Sequence, residues 1–469
     1  MKAQGSAPMM VQVQPGVPQG MVAAPPSKSL THRALVIGAI GDAASHVVGP
    51  LWGEDTIATA HGLVAMGAIV EGHVGQGDVR IARGQMLDLR LGLPTAEVGC
   101  ANSGTSLRLL TALGATGDRP VHLDGDSSLR RRPMGPLLHA LASAGVGVIP
   151  AGASTAPFLV RGPWRSEAFT IDGSVSSQYV SALLIAAAAR GGRTSLQVIG
   201  RLASAPYVGL TLDLLGRAGV LTRPRSQGGW EVVSAGPVRT HLGHHRVEAD
   251  YSSAAFLMVA AAIHGRAITL RGLDPKSLQG DRAIVSVLER VGASVQWKEE
   301  GTAASSLTIV GPEGPLLPFS VDLGRSPDLF PILCVLAATT AGSCTLSGAA
   351  QLRVKESDRI ATTRRLLEAV GVRVQQRLDG LVVDGVGGAA GERVLGAHLR
   401  GTGRLERPID TEGDHRILMA GAILASCSES PLTLRGMGAH RVSYPSFFDD
   451  LEHLGIRTAV IPASTGGNP

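Results

Sequence analysis

Six segments of the chain are apolar on almost every side of a helical turn: RALVIGAI from Arg33, LRLLTALGA from Leu107, VSALLIAAAA from Val180, AAFLMVAAAI from Ala254, FPILCVLAAT from Phe330 and RILMAGAILA from Arg416. A helix with no polar face is enclosed by protein rather than laid on a surface. Each segment is followed by a β-like stretch and then by a second helix with a charged face, such as RAIVSVLERVGA from Arg282 or RIATTRRLLEAVGV from Arg359. A glycine-plus-apolar stop then closes the unit. The stops Gly67-Ala68, Gly145-Val146, Gly219-Val220, Gly292-Ala293, Gly371-Val372 and Gly455-Ile456 lie 78, 74, 73, 79 and 84 residues apart. One supersecondary unit recurring at so regular a period marks an internal repeat. The pattern predicts six βαβαβ-like units, with the apolar helices inside and short strands outside.

Six units divide as three plus three, and 469 residues exceed what one ordinary core holds. A boundary is expected between the third and fourth units, where SAGPVRTHLGHHRVEAD runs from Ser234 to Asp250. It reads as a solvated linker, because His241, His244 and His245 lack the Asp, Glu or Cys spacing of a metal site. Composition adds that the cores are built from Ala, Val, Leu and Ile: only seven Phe, four Trp and four Tyr accompany 61 Gly. So few aromatics exclude a stacking platform for single-stranded nucleic acid. With 44% hydrophobic and 17% charged residues the chain is not disordered. The net charge of +5 fits either a generic solvated surface or a site for small polyanions.

Cys100, Cys334, Cys344 and Cys427 show neither C-x-x-C spacing nor nearby histidine pairs, so a reducing compartment fits best. No signal-peptide pattern and no run approaching the ~18 apolar residues of a membrane span is present. A cytoplasmic monomer is the expectation, with no membrane or nucleic-acid partner.

Polar residues collect just before the six apolar helices: Ser27-Lys28-Ser29, Asn102-Ser103-Gly104-Thr105, Ser176-Ser177-Gln178, Ser252-Ser253, Ser326-Pro327-Asp328 and Asp414-His415-Arg416. Singly, each is an ordinary N-cap. Together with Lys28, Arg33, Arg108 and Arg416 they suggest helix ends converging on anions. Two further clusters carry charge: LRRRPMG with Arg130, Arg131 and Arg132, and QLRVKESDR with Arg353, Lys355, Glu356, Asp358 and Arg359. Lys355 and Arg359 are four apart and are expected on one helical face beside Glu356. GVGGAA from Gly385 is a poor imitation of a dinucleotide fingerprint, and no P-loop, serine elbow or H-E-x-x-H occurs.

These residues resemble the enolpyruvyl transferase family. PPSKSLTHRAL is similar to its PGSKSxxNRAL, ANSGTSLRLL to its N-[AS]-G-T-x-x-R, RRRPMGPLL to its R-P-[IM]-x-x-L and DGSVSSQYVSALL to its S-S-Q-[FY]. SAPYVGLTL, SPDLFP, LRVKESDRI and GDHRILMA then follow in the family's order. The resemblance implies a two-domain inverse α/β barrel, each domain three βαβαββ-like repeats with buried helices. Residues 1–26 plus 248–469 would form one domain and 27–247 the other, with the active site in the cleft between them.

It further implies transfer of the carboxyvinyl group of phosphoenolpyruvate to the 5-hydroxyl of 3-phosphoshikimate, without cofactor or metal. By motif position, 3-phosphoshikimate would contact Lys28, Ser29, Arg33, Ser176, Ser177, Gln178, Ser204, Tyr207, Asp328 and Lys355. Phosphoenolpyruvate would contact Lys28, Gly104, Arg132, Gln178, Arg359 and Arg416. Asp328 is the implied general base, Glu356 the proton donor to the methylene carbon, and Lys28 a charge-neutralising partner in catalysis. Gly104 keeps the small residue that in this family leaves room for glyphosate. Pro26, His32, Gln351 and Val442 depart from the pattern, Val442 standing where some members carry a substrate-binding lysine. The sister enzyme acting on UDP-N-acetylglucosamine uses a loop cysteine that DGDSSLRRRPMG lacks. RNA 3′-phosphate cyclases share the repeat but need a nucleic-acid face, and a non-catalytic anion-binding protein would not need Asp328, Lys355 and Glu356 together.

Overall fold

The computed structural model describes residues 9–41, 43–85, 94–235, 240–300, 304–387 and 408–462. Among them are twelve α-helices: α1 (Lys28–Ile40), α2 (Glu54–Met66), α3 (Gly104–Gly114), α4 (Gly135–Ser143), α5 (Ser177–Arg190), α6 (Pro206–Arg217), α7 (Tyr251–His264), α8 (Ala283–Arg290), α9 (Phe330–Ala338), α10 (Arg359–Ala369), α11 (His415–Ser426) and α12 (Phe447–His453). The odd-numbered helices are the six apolar segments. Every residue of α7, α9 and α11 is buried. The even-numbered helices bury one face, as α8 buries Ile284, Val287 and Leu288 at helical spacing. Close helix approach explains part of the glycine content: a Cβ on Gly62 of α2 would fall 2.5 Å from Leu110 Cδ1 of α3.

The recurrent stop has one physical cause. Gly67, Gly145, Gly219, Gly292, Gly371 and Gly455 all sit at positive φ, between 82° and 106°, one or two residues beyond the even-numbered helices. Glycine ends a helix there without a Cβ clash.

Among the described residues the strands form six four-stranded sheets. In the third unit Ala168–Asp172 pairs in parallel with Gly192–Ile199, which pairs antiparallel with Trp230–Ser234 and through it with Leu221–Pro224. A parallel pair needs a crossover, and the buried helix supplies it. Three units borrow a strand from far along the chain. Met9–Val13 lies between Leu432–Arg435 and Thr458–Pro462, and Gly20–Ala23 pairs in parallel with Ile268–Arg271. His244–Arg246 pairs in parallel with Ser45–Val48.

That last pairing corrects the expectation of a solvated linker. His245 is 7% exposed and belongs to a sheet, and burial pushes its imidazole down to about 4, with Arg217 adding to the effect and Asp213 opposing it. Residues 236–239 of the segment lie outside the described residues, as do the last three of GVGGAA. The sequence pattern missed the strand because three residues are too short to show alternation.

The chain forms two compact units: the described residues within Met1–Pro25, Ala249–Ser277 and Asp281–Pro469, and those within Pro26–Glu248 and Leu278–Gly280. Each encloses its own apolar core. One contains α7, α9 and α11 with Phe256, Phe330, Tyr444 and Phe447; the other contains α1, α3 and α5 with Phe158, Trp164 and Tyr179. At ~25 cal/mol per Å² of apolar surface, such buried helices dominate the stability of each unit.

Candidate active site

In the unit holding α1, α3 and α5, serines cap the buried helices. Ser27 accepts from Leu30 N at 3.5 Å, Ser103 from Ser106 N at 3.1 Å and Ser176 from Gln178 N at 3.2 Å. Lys28 Nζ donates to Asp55 Oδ2 at 3.0 Å. Arg33 turns inward and is 2% exposed. Its Nε donates to Thr211 Oγ1 at 2.8 Å, Nη1 to the Ser29 carbonyl at 2.9 Å, and Nη2 to the Tyr207 carbonyl at 3.0 Å and Ser181 Oγ at 3.4 Å. Burial pushes this guanidinium down to about 10, still charged at neutral pH, and the nearby Tyr207 acts in the opposite direction. Arg33 thereby ties α1 to α5 and α6.

A second cluster forms where α3 and α5 begin. Arg108 Nη1 donates to Gln178 Oε1 at 2.7 Å, and Gln178 Nε2 donates to Thr105 Oγ1 at 3.0 Å. Arg132 Nη2 donates to Asn102 Oδ1. Gly104 lies between the two guanidiniums: a Cβ there would be 2.3 Å from Arg108 Nη1 and 3.1 Å from Arg132 Nη1. The run of three arginines separates, since Arg132 is 5% exposed while Arg130 pairs with Asp124 on the surface and Arg131 is exposed. Ser204, at φ 52°, accepts from the backbone N–H of Tyr207 through its carbonyl at 3.1 Å as α6 begins. Ser177 is 4% exposed in the first turn of α5.

The other unit gathers four charged side chains around Arg359, which is 2% exposed. Its Nη1 donates to Asp328 Oδ1 at 2.9 Å, Nη2 to Glu356 Oε2 at 2.7 Å and Nε to Asp414 Oδ2 at 2.8 Å. Arg416 Nη2 donates to the other oxygen of Asp328 at 3.0 Å. Asp414 also caps α11, accepting from Arg416 N at 2.9 Å. Burial alone would raise the Asp328 carboxyl, but Arg416, Arg359 and Lys355 outweigh it and hold the group well below the usual carboxylate range. Burial acts to lower Arg359, yet Asp414, Glu356 and Asp328 raise it further above an ordinary guanidinium.

Lys355 and Arg359 do not share a helical face. Lys355 is extended after the 3-10 turn Ala350–Val354, and Asp358 starts α10 at Arg359 by accepting from Ala361 N at 3.1 Å. The cap resets the helical phase, so Glu356 reaches Arg359 from outside the helix. Gln351, in that 3-10 turn, has its amide nitrogen buried without a hydrogen-bond partner. Val442 ends the 3-10 turn Ala439–Val442. Sequence reasoning passed over Asp55, Asn102, Thr105 and Asp414 as carriers of charge or orientation. Asn102, Thr105 and Asp414 stand in the helix-start clusters expected to converge on anions, but the sequence assigns none of them an individual partner.

A model of the EPSP synthase family, 3-phosphoshikimate 1-carboxyvinyltransferase, matches residues 14–451. The chain belongs to that family. It is 39% identical to the 3-phosphoshikimate 1-carboxyvinyltransferase of Methanocorpusculum labreanum over 437 residues, 93% of this chain and 96% of that one. It is 37% identical to the enzyme of that name from Halorubrum lacusprofundi over 467 residues, 96% and 98% of the two chains. The structure of EPSP synthase from Acinetobacter baumannii aligns with a TM-score of 0.77 at 27% identity, covering 97% of this chain and all of that one. The enolpyruvyl transferase NikO from Streptomyces tendae shares the fold, with a TM-score of 0.71 at 18% identity and 97% and 100% coverage. The fold is therefore the α/β architecture of the EPSP synthases, and the chain is a transferase of the shikimate route to chorismate and the aromatic amino acids.

Proposed function

We propose that Asp328, Glu356 and Lys28 carry the transfer of the enolpyruvyl group from phosphoenolpyruvate to the 5-hydroxyl of 3-phosphoshikimate. The observation that supports these roles is the placement of Asp328 between Arg359 and Arg416, with Glu356 on the same guanidinium. Two arginines keep Asp328 ionised, as a general base must be. Asp328 takes the hydroxyl proton while the oxygen attacks C2 of phosphoenolpyruvate. Glu356, whose side chain is 18% exposed and so open to protons from solvent, protonates C3. Glu356, left as the carboxylate, then takes a proton back from the new methyl group as phosphate departs, and the enol ether forms. Lys28, held by Asp55, neutralises charge that develops on the donor.

Both substrates carry a phosphate and a carboxylate, and the cationic and hydroxyl side chains divide between them. Arg132, Arg359, Arg416, Gln178, Lys28 and Gly104 face phosphoenolpyruvate; Lys28, Ser29, Ser176, Ser177, Gln178, Ser204, Tyr207, Asp328 and Lys355 face 3-phosphoshikimate, with Arg33 behind them. Arg33 acts from inside, by fixing the Ser29 and Tyr207 backbones that it binds. The sister reaction on UDP-N-acetylglucosamine is disfavoured by the absence of a cysteine from DGDSSLRRRPMG. Four free, buried thiols fit a reducing cytoplasm, and a monomer completes the reading.

The test is phosphate release from the purified protein given both substrates. Asp328→Ala and Glu356→Gln each lose turnover by more than ~100-fold, the low end of general acid–base contributions. Release at the wild-type rate in either variant removes that residue from its role. Release that requires UDP-N-acetylglucosamine in place of 3-phosphoshikimate overturns the substrate assignment.

A further inference from the structure

A single imidazole interrupts the apolar interior of α1. His32 is 1% exposed, and its Nδ1 lies 2.7 Å from Thr59 Oγ1 of α2. Thr59 Oγ1 lies 2.6 Å from Ser106 Oγ of α3. Ser106 Oγ is 3.1 Å from the Asp55 carbonyl and 2.6 Å from Ser103 Oγ. Thr59, Ser103 and Ser106 are wholly buried. The chain of contacts thus begins inside α1 and ends at two functional points. Asp55 grips Lys28, and Ser103 caps α3 immediately before Gly104.

We infer that His32 is a positioning residue: through Thr59 and Ser106 it fixes Asp55, and with it Lys28, relative to the Gly104 end of α3. This rests on the site proposed above. Each hydroxyl has one proton to give. With the proton on Nδ1, His32 donates to Thr59 and Thr59 to Ser106, and Ser106 keeps its one proton for the two acceptors it faces, Ser103 Oγ and the Asp55 carbonyl, so the string runs in one direction toward both. With the proton on Nε2 the direction reverses. Ser106 then spends its proton on Thr59 rather than on Ser103 or Asp55, and an N–H is left at an Nε2 that has no partner.

The geometry requires a neutral ring, since a cation would sit beside Lys28 and Arg33. Burial first, then the charges of Lys28 and Arg33, hold His32 well below the ordinary imidazole value. Apolar contacts let helices slide by fractions of an ångström, whereas short hydrogen bonds fix the spacing. Substrate-positioning groups tolerate little displacement.

Two measurements on the full chain test this. Long-range proton–nitrogen NMR of the histidine-labelled protein should show His32 neutral and protonated at Nδ1 from pH 5.5 to 8. A resonance pattern of the Nε2–H tautomer, or of imidazolium, overturns the proposal whatever reaction the protein performs. Thr59→Val keeps the shape and removes the link. It should raise the KM for phosphoenolpyruvate about tenfold, the scale of one hydrogen bond, with a smaller change in kcat. The protein should remain folded by circular dichroism. Wild-type KM in Thr59→Val, or a loss confined to thermal stability, assigns the string to packing alone. Wild-type protein inactive on both substrates would instead sink the reaction assignment and leave the NMR result to judge the string.

Discussion

Arg359 holds Asp328 at 2.9 Å through Nη1 while its other two nitrogens are engaged by Glu356 and Asp414. The guanidinium fork is what permits three carboxylates on one cation. Arg359→Lys keeps the charge but presents a single ammonium, so Asp328 loses one of its two close guanidinium contacts. Its carboxyl then rises toward the ordinary range, and the acid limb of the kcat profile moves to higher pH. A pH–rate profile of this variant that overlays the wild type would show that Arg359 does not set the ionisation of Asp328. Arg359→Gln goes further by stranding Asp414, which is fully buried. Breaking a buried pair in this way removes about 3–5 kcal/mol of stability, readable as a lower denaturation midpoint.

Gly104 is a helical position where alanine would ordinarily favour the helix. Here a Cβ would fall 2.3 Å from Arg108 Nη1, and Arg108 is held by Gln178 and only 7% exposed. Gly104→Ala therefore moves Arg108 and with it Gln178, or moves Arg132, and both Gln178 and Arg132 belong to the proposed phosphoenolpyruvate site. The expected result is a KM for phosphoenolpyruvate raised at least tenfold, on the order of one lost charged hydrogen bond, with Tm unchanged or higher. An unaltered KM would mean that the guanidiniums relax away from the site without consequence.

The repeat, the burial of six helices and the clustering of polar residues at their starts were legible because each leaves a periodic trace in the sequence. Helices such as α7 and α9 contain no polar face to misread. What escaped notice was long-range. Nothing local in HHR from His244 shows that it pairs with Ser45–Val48, nearly 200 residues away. Asp414 looked like a cap because it is one; that its second oxygen serves Arg359 depends on a partner 55 residues away. The helical phase placed on Lys355 and Arg359 failed at Asp358, whose side chain begins a new helix between them.

The four cysteines should be inert in the native protein. All are free and buried, and burial pushes Cys100 and Cys427 up to about 12 and Cys334 well above an ordinary thiol. The reactive species is the thiolate. Ellman's reagent should therefore find almost no thiol at pH 8 and all four after denaturation. Rapid native labelling with loss of turnover would point instead to a catalytic cysteine and to the sister reaction.

Asp281 offers a test of the electrostatics around Asp328. It lies in the 3-10 turn Gly280–Arg282, is 3% exposed and accepts a hydrogen bond from Ser252 Oγ. Burial, and then the charge of Asp328, push its carboxyl up to about 7, with Asp250 adding and Ser252 and Arg416 opposing. An unfolded aspartate titrates near ~3.9. Between those values the folded state holds a proton that the unfolded state has lost. The stability contributed by this group is thus complete below pH ~4 and declines until pH about 7. Asp328, shifted the other way, loses its contribution only as pH falls below the usual carboxylate range, outside this window. Asp281→Asn keeps an oxygen for Ser252 and carries no titrating proton. Its Tm relative to the wild type should accordingly rise between pH 5 and pH 8, most steeply below pH 7. A difference that stays constant across melts at pH 5, 6.5 and 8 would show that Asp281 is ionised throughout and that the carboxylates of this unit are not coupled.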